Sequence, residues 1–360
     1  MQSPGAPRPS WCTSGASTPW APAEGTPLPS WFYRQAPADR PSDAPRVRDL
    51  PADSGIRDLP VIQAYAPRDD VPLALEVGFG PDAASAWWPQ VDRRVSAPDA
   101  SSPLAVAGRG ALLAARAART PMGPNPPLGP DPTKQLGWDA LTLSRSPATL
   151  PKPAEVPWVQ ALRDVPGALW VDATGESDRF VFYEAQTHDR PDLVLERGET
   201  WSPSRPHLVL RNVSDWTVHD VVVIADGRAW TAPAIPPGAT AGFLLDQPLD
   251  RDAVLRWLRA RWTDPGGPPG DDWMQGDCVM MRDPAVPTEV AADHRLYAAE
   301  LDVLLGVWAD RLLAADGARV VYREDEAALQ ARVPLAVYTD MRSHVALSRL
   351  GVAVIEGVTP

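Results

Sequence analysis

The sequence predicts a mainly β protein with an α/β C-terminal part: two β-sandwich-like modules and one long amphipathic helix near residues 295–316. Three observations carry that expectation. Forty-three prolines in 360 residues is more than twice the usual ~5%, and proline lacks the backbone donor that helix interiors and central strands require. Short apolar runs separated by turn residues recur between residues 168 and 245, at the spacing of an antiparallel sandwich. Tyr297, Leu301, Leu304, Leu305, Trp308 and Leu312 recur at helical spacing, with Gly317 as a stop signal.

The elements follow in order. Residues 1–57 hold Pro, Ser, Ala and Gly with little periodicity and are expected to be a disordered arm, because so little apolar surface does not offset chain entropy. The arm nevertheless carries Trp11, Trp20, Trp31, Phe32 and Tyr33, aromatic residues suited to docking on the body or on a partner. Residues 58–150 form the first β-rich module. In it Leu73, Leu75, Val77 and Phe79 alternate with Ala74, Glu76 and Gly78 as a half-buried strand, and Val61–Ala66 and Leu141–Leu143 are shorter strands. An Ala-rich helix at 105–118 and an extended loop at 121–132 are expected between them.

Residues 151–248 are the most legible part. Ala168–Val171 and Phe180–Tyr183 flank the polar turn Thr174-Gly175-Glu176-Ser177 and predict a hairpin. Leu208–Asn212, Val218–Ile224, the turn Asp226-Gly227, and Pro236-Pro237-Gly238 before Ala241–Leu245 extend the pattern. Residues 249–283 are a helix and linker: Asp250 is placed to cap a helix running to Trp262, with Val254, Leu255, Leu258 and Trp262 on its apolar face. Residues 284–360 form the small α/β module. After its long helix come a strand at 318–322, a helix at 324–330, a strand at 335–338, a helix after Asp340 and an apolar end at 352–355.

The stretch LVLRNVSDWTVHDVVVIAD (208–226) followed by IPPGATAGFLL (235–245) resembles the Ig-like or fibronectin-like modules of bacterial surface proteins, over about residues 205–245. DLPVIQAY (58–65), Trp87-Trp88-Pro89 and FVFYE (180–184) resemble segments of uncharacterised bacterial proteins that are usually exported. The resemblance implies a sandwich fold and no activity. Met1–Trp20 departs from it in lacking a basic region followed by an apolar core. The expected compartment is therefore cytoplasmic as written, or periplasmic or extracellular if the chain begins further upstream.

The net charge of −12 and the scattered arginines argue against nucleic acid as a partner. No window approaches the ~20 apolar residues of a membrane-spanning helix. Cys12 and Cys278 are too far apart in sequence to suggest a disulfide framework or a zinc pattern. None of the five histidines stands in an HxH, HxxxH or HExxH arrangement. His188-Asp189 and His219-Asp220 are adjacent pairs, and strand neighbours point to opposite faces. No metal and no cofactor are expected.

The candidate catalytic residues are Asp340 and His344, an i,i+4 pair after a strand, and Cys278, a thiol that a histidine would activate. The structural reading of the same residues is an N-cap at Asp340 and a small buried hydrophobe at Cys278. Trp87 and Trp88 are the candidate ligand-binding pair, since aromatic rings offer large contact area at low entropic cost. The sequence thus points to a structural or protein-interaction protein without catalysis, with another protein or a cell-surface component as partner. The alternative is a hydrolase-type enzyme with its site at the junction of the second and third modules.

Overall fold

The computed structural model describes residues 28–35, 55–57, 61–80, 83–95, 133–187, 191–198, 207–268, 288–289, 292–293, 295–314, 318–340 and 345–358. The helix expected at 105–118, the loop at 121–132, the start of the helix expected after Asp340 and most of the N-terminal arm lie outside the described residues.

In chain order, β1 (Tyr33–Arg34), β2 (Gly55–Arg57), β3 (Val61–Ile62), β4 (Ala64–Tyr65), β5 (Val71–Gly78), β6 (Ala83–Trp88) and β7 (Arg93–Val95) precede the long β8 (Gln135–Ser144). Helix α1 (Pro157–Arg163) leads to β9 (Trp170–Ala173), β10 (Glu176–Asp178), β11 (Val181–Thr187) and β12 (Leu193–Arg197). Then come β13 (His207–Asn212), β14 (Val218–Ala225), β15 (Arg228–Ile235), β16 (Thr240–Leu244) and helix α2 (Arg251–Trp262). The chain continues through β17 (Thr288–Glu289), β18 (Ala292–Asp293), α3 (Ala298–Leu312), β19 (Ala318–Arg323) and α4 (Glu326–Arg332). It closes with β20 (Leu335–Thr339), β21 (Ala346–Ser348) and β22 (Val352–Val358). The fold is mainly β.

Local chemistry accounts for the best-predicted elements. Asp226 and Gly227 both have positive φ, 51° and 68°, the type I′ turn whose twist matches antiparallel strands, and β14 pairs with β15 across it. The Asp250 side chain accepts a hydrogen bond from the Ala253 amide at 3.0 Å and starts α2. Helix α3 buries Leu301, Leu304, Leu305, Trp308 and Leu312, the face that the 3.6-residue period selects.

Two sheets share one core. The sheet β12-β13-β16 and the sheet β15-β14-β19-β22 contribute inward side chains such as Leu195, Leu210, Val221, Val223, Val320 and Tyr322. Val222, Ile224, Val321 and Val354 belong to a second core, where they meet apolar residues of α1, α2 and α3 together with Phe180, Phe182 and Trp88. The sheet β1-β6-β11-β2 contributes to this core from one side, with Trp88 and Phe182, and from the other packs Trp87 and Tyr183 against β10-β9-β8-β5-β20-β17 in a third core.

Three expectations change. The strand at 73–79 is buried on both faces: Ala74 packs against Tyr338, and the Glu76 carboxylate is accommodated by Gln135 and Arg93. The predicted hairpin closes instead between β9 and β10, and β11 crosses to pair with β6. The strands of the C-terminal third do not form a sheet of their own among the described residues. β19 pairs with β14, β20 with β5 and β21 with β4, so the last residues complete sheets begun some 100 to 280 positions earlier.

Candidate functional site

Four prolines, at 147, 151, 153 and 157, set the course of the most unusual surface feature. The loop after β8 runs Pro147-Ala-Thr-Leu-Pro-Lys-Pro-Ala-Glu-Val-Pro157, and each proline fixes φ while removing a donor. The donors that remain are matched. The Ala148 amide donates to Asp172 Oδ1 at 2.9 Å and the Thr149 amide to Ser177 Oγ at 3.0 Å. Asp172 is itself buried and also accepts from the Ser144 and Ser177 hydroxyls. The carbonyls are anchored too: Ser146 accepts from Ser144 Oγ at 2.7 Å, Lys152 from Arg163 Nη1 at 2.7 Å, and Pro153 from Trp31 Nε1 at 3.0 Å. On this pinned loop Leu150 is 94% exposed, the most exposed large apolar residue among those described.

Beside it lies an open cleft of about 480 Å³ lined by Pro151, Gln160, Arg163, Asp164, Trp170 and Arg179. The two arginines differ in kind. Arg163 is spent internally: Nε and Nη2 bind the Asp178 carboxylate at 2.9 and 2.6 Å. Asp178 is completely buried and further accepts from Trp88 Nε1 at 3.1 Å and the Arg179 amide at 2.9 Å. Burial pushes the Asp178 carboxyl above its ordinary pKa, against the pull of Arg163 and these donors. Arg179 meets no carboxylate at ion-pair distance among the described residues. Its Nη1 donates to the carbonyls of Arg163 and Val165 at 2.9 and 3.3 Å, closing the end of α1, and its guanidinium lies 5.3 Å from the Trp170 ring centroid. The face therefore combines an exposed leucine, a half-buried tryptophan and an arginine that makes no ion pair among the described residues, with Asp164 in the same cleft.

Cys278 and His344 lie outside the described residues, as do His188 and Asp189. Asp340 follows β20 with its side chain half-buried. Trp87 and Trp88 face opposite ways, as strand alternation requires, and each is 1% exposed in a different core. They are core residues in place of the contact pair expected. His219 and Asp220 diverge as well: His219 Nε2 stands 3.2 Å from Asp325 Oδ2, whereas Asp220 accepts from Arg261 and Arg323. Asp220 has φ of 51° at a bulge between β14 and β19, which turns its carboxylate toward both guanidinium groups. Leu150 is not among the residues singled out in the sequence, where nothing local marks it.

The face also carries a pH-sensitive contact. Glu155 accepts from the Ser30 amide at 2.6 Å and the Ser30 hydroxyl at 2.7 Å, bonds that hold its carboxyl below the ordinary value of 4.5. A depressed folded pKa adds stability above the unfolded value and loses it as pH falls through the folded value. Glu155→Gln is therefore expected to narrow the stability difference between pH 7 and pH 3 in urea denaturation, relative to the wild type.

Compared with protein family models, curated proteins and solved structures, the chain matches none. No described helix is long and apolar enough to cross a membrane.

Proposed function

We propose that this protein is a non-catalytic interaction protein, a β scaffold that presents Leu150 and the Trp170–Arg179 pair to a segment of a partner protein. The observation that carries the reading is Leu150, 94% exposed on a loop whose amides and carbonyls are tied down on both sides of it. A loop whose backbone is already held in place loses less conformational freedom on binding, so contact there yields more affinity. Tryptophan and arginine beside it match the composition of interface hot spots.

The partner chemistry follows from the cleft. Arg179 favours a carboxylate, and Leu150 with Trp170 favours an adjacent aliphatic or aromatic side chain. The two sheets that share the β12–β16 and β14–β22 core, seven strands in all, support an Ig-like reading of this part, completed by strands from the C-terminal third. Selection of a displayed random peptide library on the full chain tests the proposal. Enrichment of sequences with Asp or Glu next to a large apolar residue is the expected result; enrichment of basic sequences, or of binders that do not compete with one another for this face, contradicts it.

A further inference from the structure

Residues 28–35 sit on the body as a peptide sits on a receptor. β1 adds antiparallel to the free edge of β6, with Tyr33 opposite Trp87 and Arg34 opposite Ala86, and the Gln35 amide continues the ladder to the Ser85 carbonyl at 2.9 Å. Phe32 is buried among aromatic rings, with centroids 4.7 Å from Phe182, 5.9 Å from Trp158 and 6.1 Å from Trp88. Polar anchors flank it: Ser30 on Glu155, Trp31 Nε1 on the Pro153 carbonyl, and the Tyr33 hydroxyl on Glu176 Oε1 at 2.6 Å. Main-chain bonds to a sheet edge, one deep anchor and polar rim contacts are the elements of strand-addition recognition.

The chain that follows is longer than this docking needs. In the sheet order β1-β6-β11-β2, three strand spacings, about 14 Å, separate β1 from β2. The connection has 19 residues, 36 to 54, enough to span roughly 60 Å when extended. Exchange of this segment with the same segment of a second copy would reproduce the same contacts and requires no new interface.

We propose that the groove formed by β6, Trp158, Phe182 and Glu155 is a peptide-binding site whose occupant, residues 28–35, exchanges with the same segment of a second copy. The occupant is set by complementarity to this sequence, Leu-Pro-Ser-Trp-Phe-Tyr-Arg-Gln, and intramolecular occupation dominates in dilute solution through its high effective concentration.

A fluorescent synthetic peptide of residues 26–37 tests this on the full chain carrying Phe32→Ala, where the internal ligand has lost its anchor. The expected result is saturable uptake that restores the thermal midpoint toward the wild-type value, with the Phe32→Ala peptide binding at least about 30-fold more weakly. Should that variant fail to fold, a protease site placed after Ala44 in the wild-type chain gives the same readout: after cleavage the N-terminal piece co-elutes with the body and is displaced by labelled peptide. In sedimentation, the intact wild-type chain forms dimers at high concentration, and excess peptide returns them to monomer. A groove that takes up no peptide, a chain that stays monomeric, or dimers indifferent to the peptide would overturn the proposal.

Discussion

Arg163→Met is expected to destabilise the fold by about 3–5 kcal/mol. Its partner Asp178 is fully buried, and removal of the guanidinium leaves the carboxylate with Trp88 Nε1 and the Arg179 amide as its donors among the described residues. Burial already raises the Asp178 pKa with Arg163 in place, so the variant raises it further. A carboxyl whose folded pKa exceeds its unfolded value contributes stability that is present below the unfolded value and is lost as pH rises through the folded one. The deficit of Arg163→Met therefore grows from pH 4 to pH 7. The pair itself is a different matter, because desolvation of two charges offsets much of their attraction. The double variant Arg163→Met/Asp178→Leu should recover most of the loss. Urea denaturation at the two pH values checks both statements, and a single variant as stable as wild type at pH 7 would show that Asp178 is solvated.

Asp220→Ala is expected to cost a similar amount, about 3–5 kcal/mol, for two reasons that separate experimentally. The buried carboxylate faces Arg323 Nε at 2.8 Å and Arg261, and its loss strands the largely buried Arg323. The backbone there has φ of 51°, a region in which Cβ clashes cost most residues roughly 1–2 kcal/mol and which Asp and Asn tolerate best. Asp220→Asn keeps the backbone preference and one acceptor, so its loss should fall to about 1–3 kcal/mol. Equal losses for Ala and Asn in denaturant titrations would remove the backbone contribution.

Elements with local causes were legible in the sequence. The Asp250 cap, the periodicity of α3 and the Asp226-Gly227 turn each act within a few residues, and each stands where the chemistry puts it. What the sequence concealed is non-local. Alternation at 73–79 implied one buried face, but Glu76 is buried by acquiring Gln135 and Arg93, residues that no window around it contains. β19 and β22 read as part of a separate layer because nothing in their composition names β14 as their partner. The helix start at Glu324-Asp325 divided its acids: Asp325 caps α4 through the Ala327 amide at 2.9 Å, whereas Glu324 is buried against Arg332 at 2.7 Å.

The site was less legible than the fold, and for a related reason. Trp87 and Trp88 drew notice as aromatic residues, yet aromatic area is as useful in a core as on a surface, and both were used in cores. Leu150 carried no signal because its exposure depends on Asp172, Ser177 and Arg163 holding the loop beneath it. Phe32 belonged to a segment whose composition suggested an arm, and its anchor role depends on rings contributed from residues 88 to 182.

The proposal that the Leu150 face is the contact surface is tested most directly by one affinity ratio. A peptide selected on the full chain is titrated against wild type, Leu150→Asp and the distant control Leu244→Asp. Both substitutions fall on exposed side chains and should leave stability within about 0.5 kcal/mol. Binding to Leu150→Asp is expected to be at least about tenfold weaker, a loss of about 1.4 kcal/mol or more, and binding to Leu244→Asp unchanged. Equal affinities for all three proteins would contradict it.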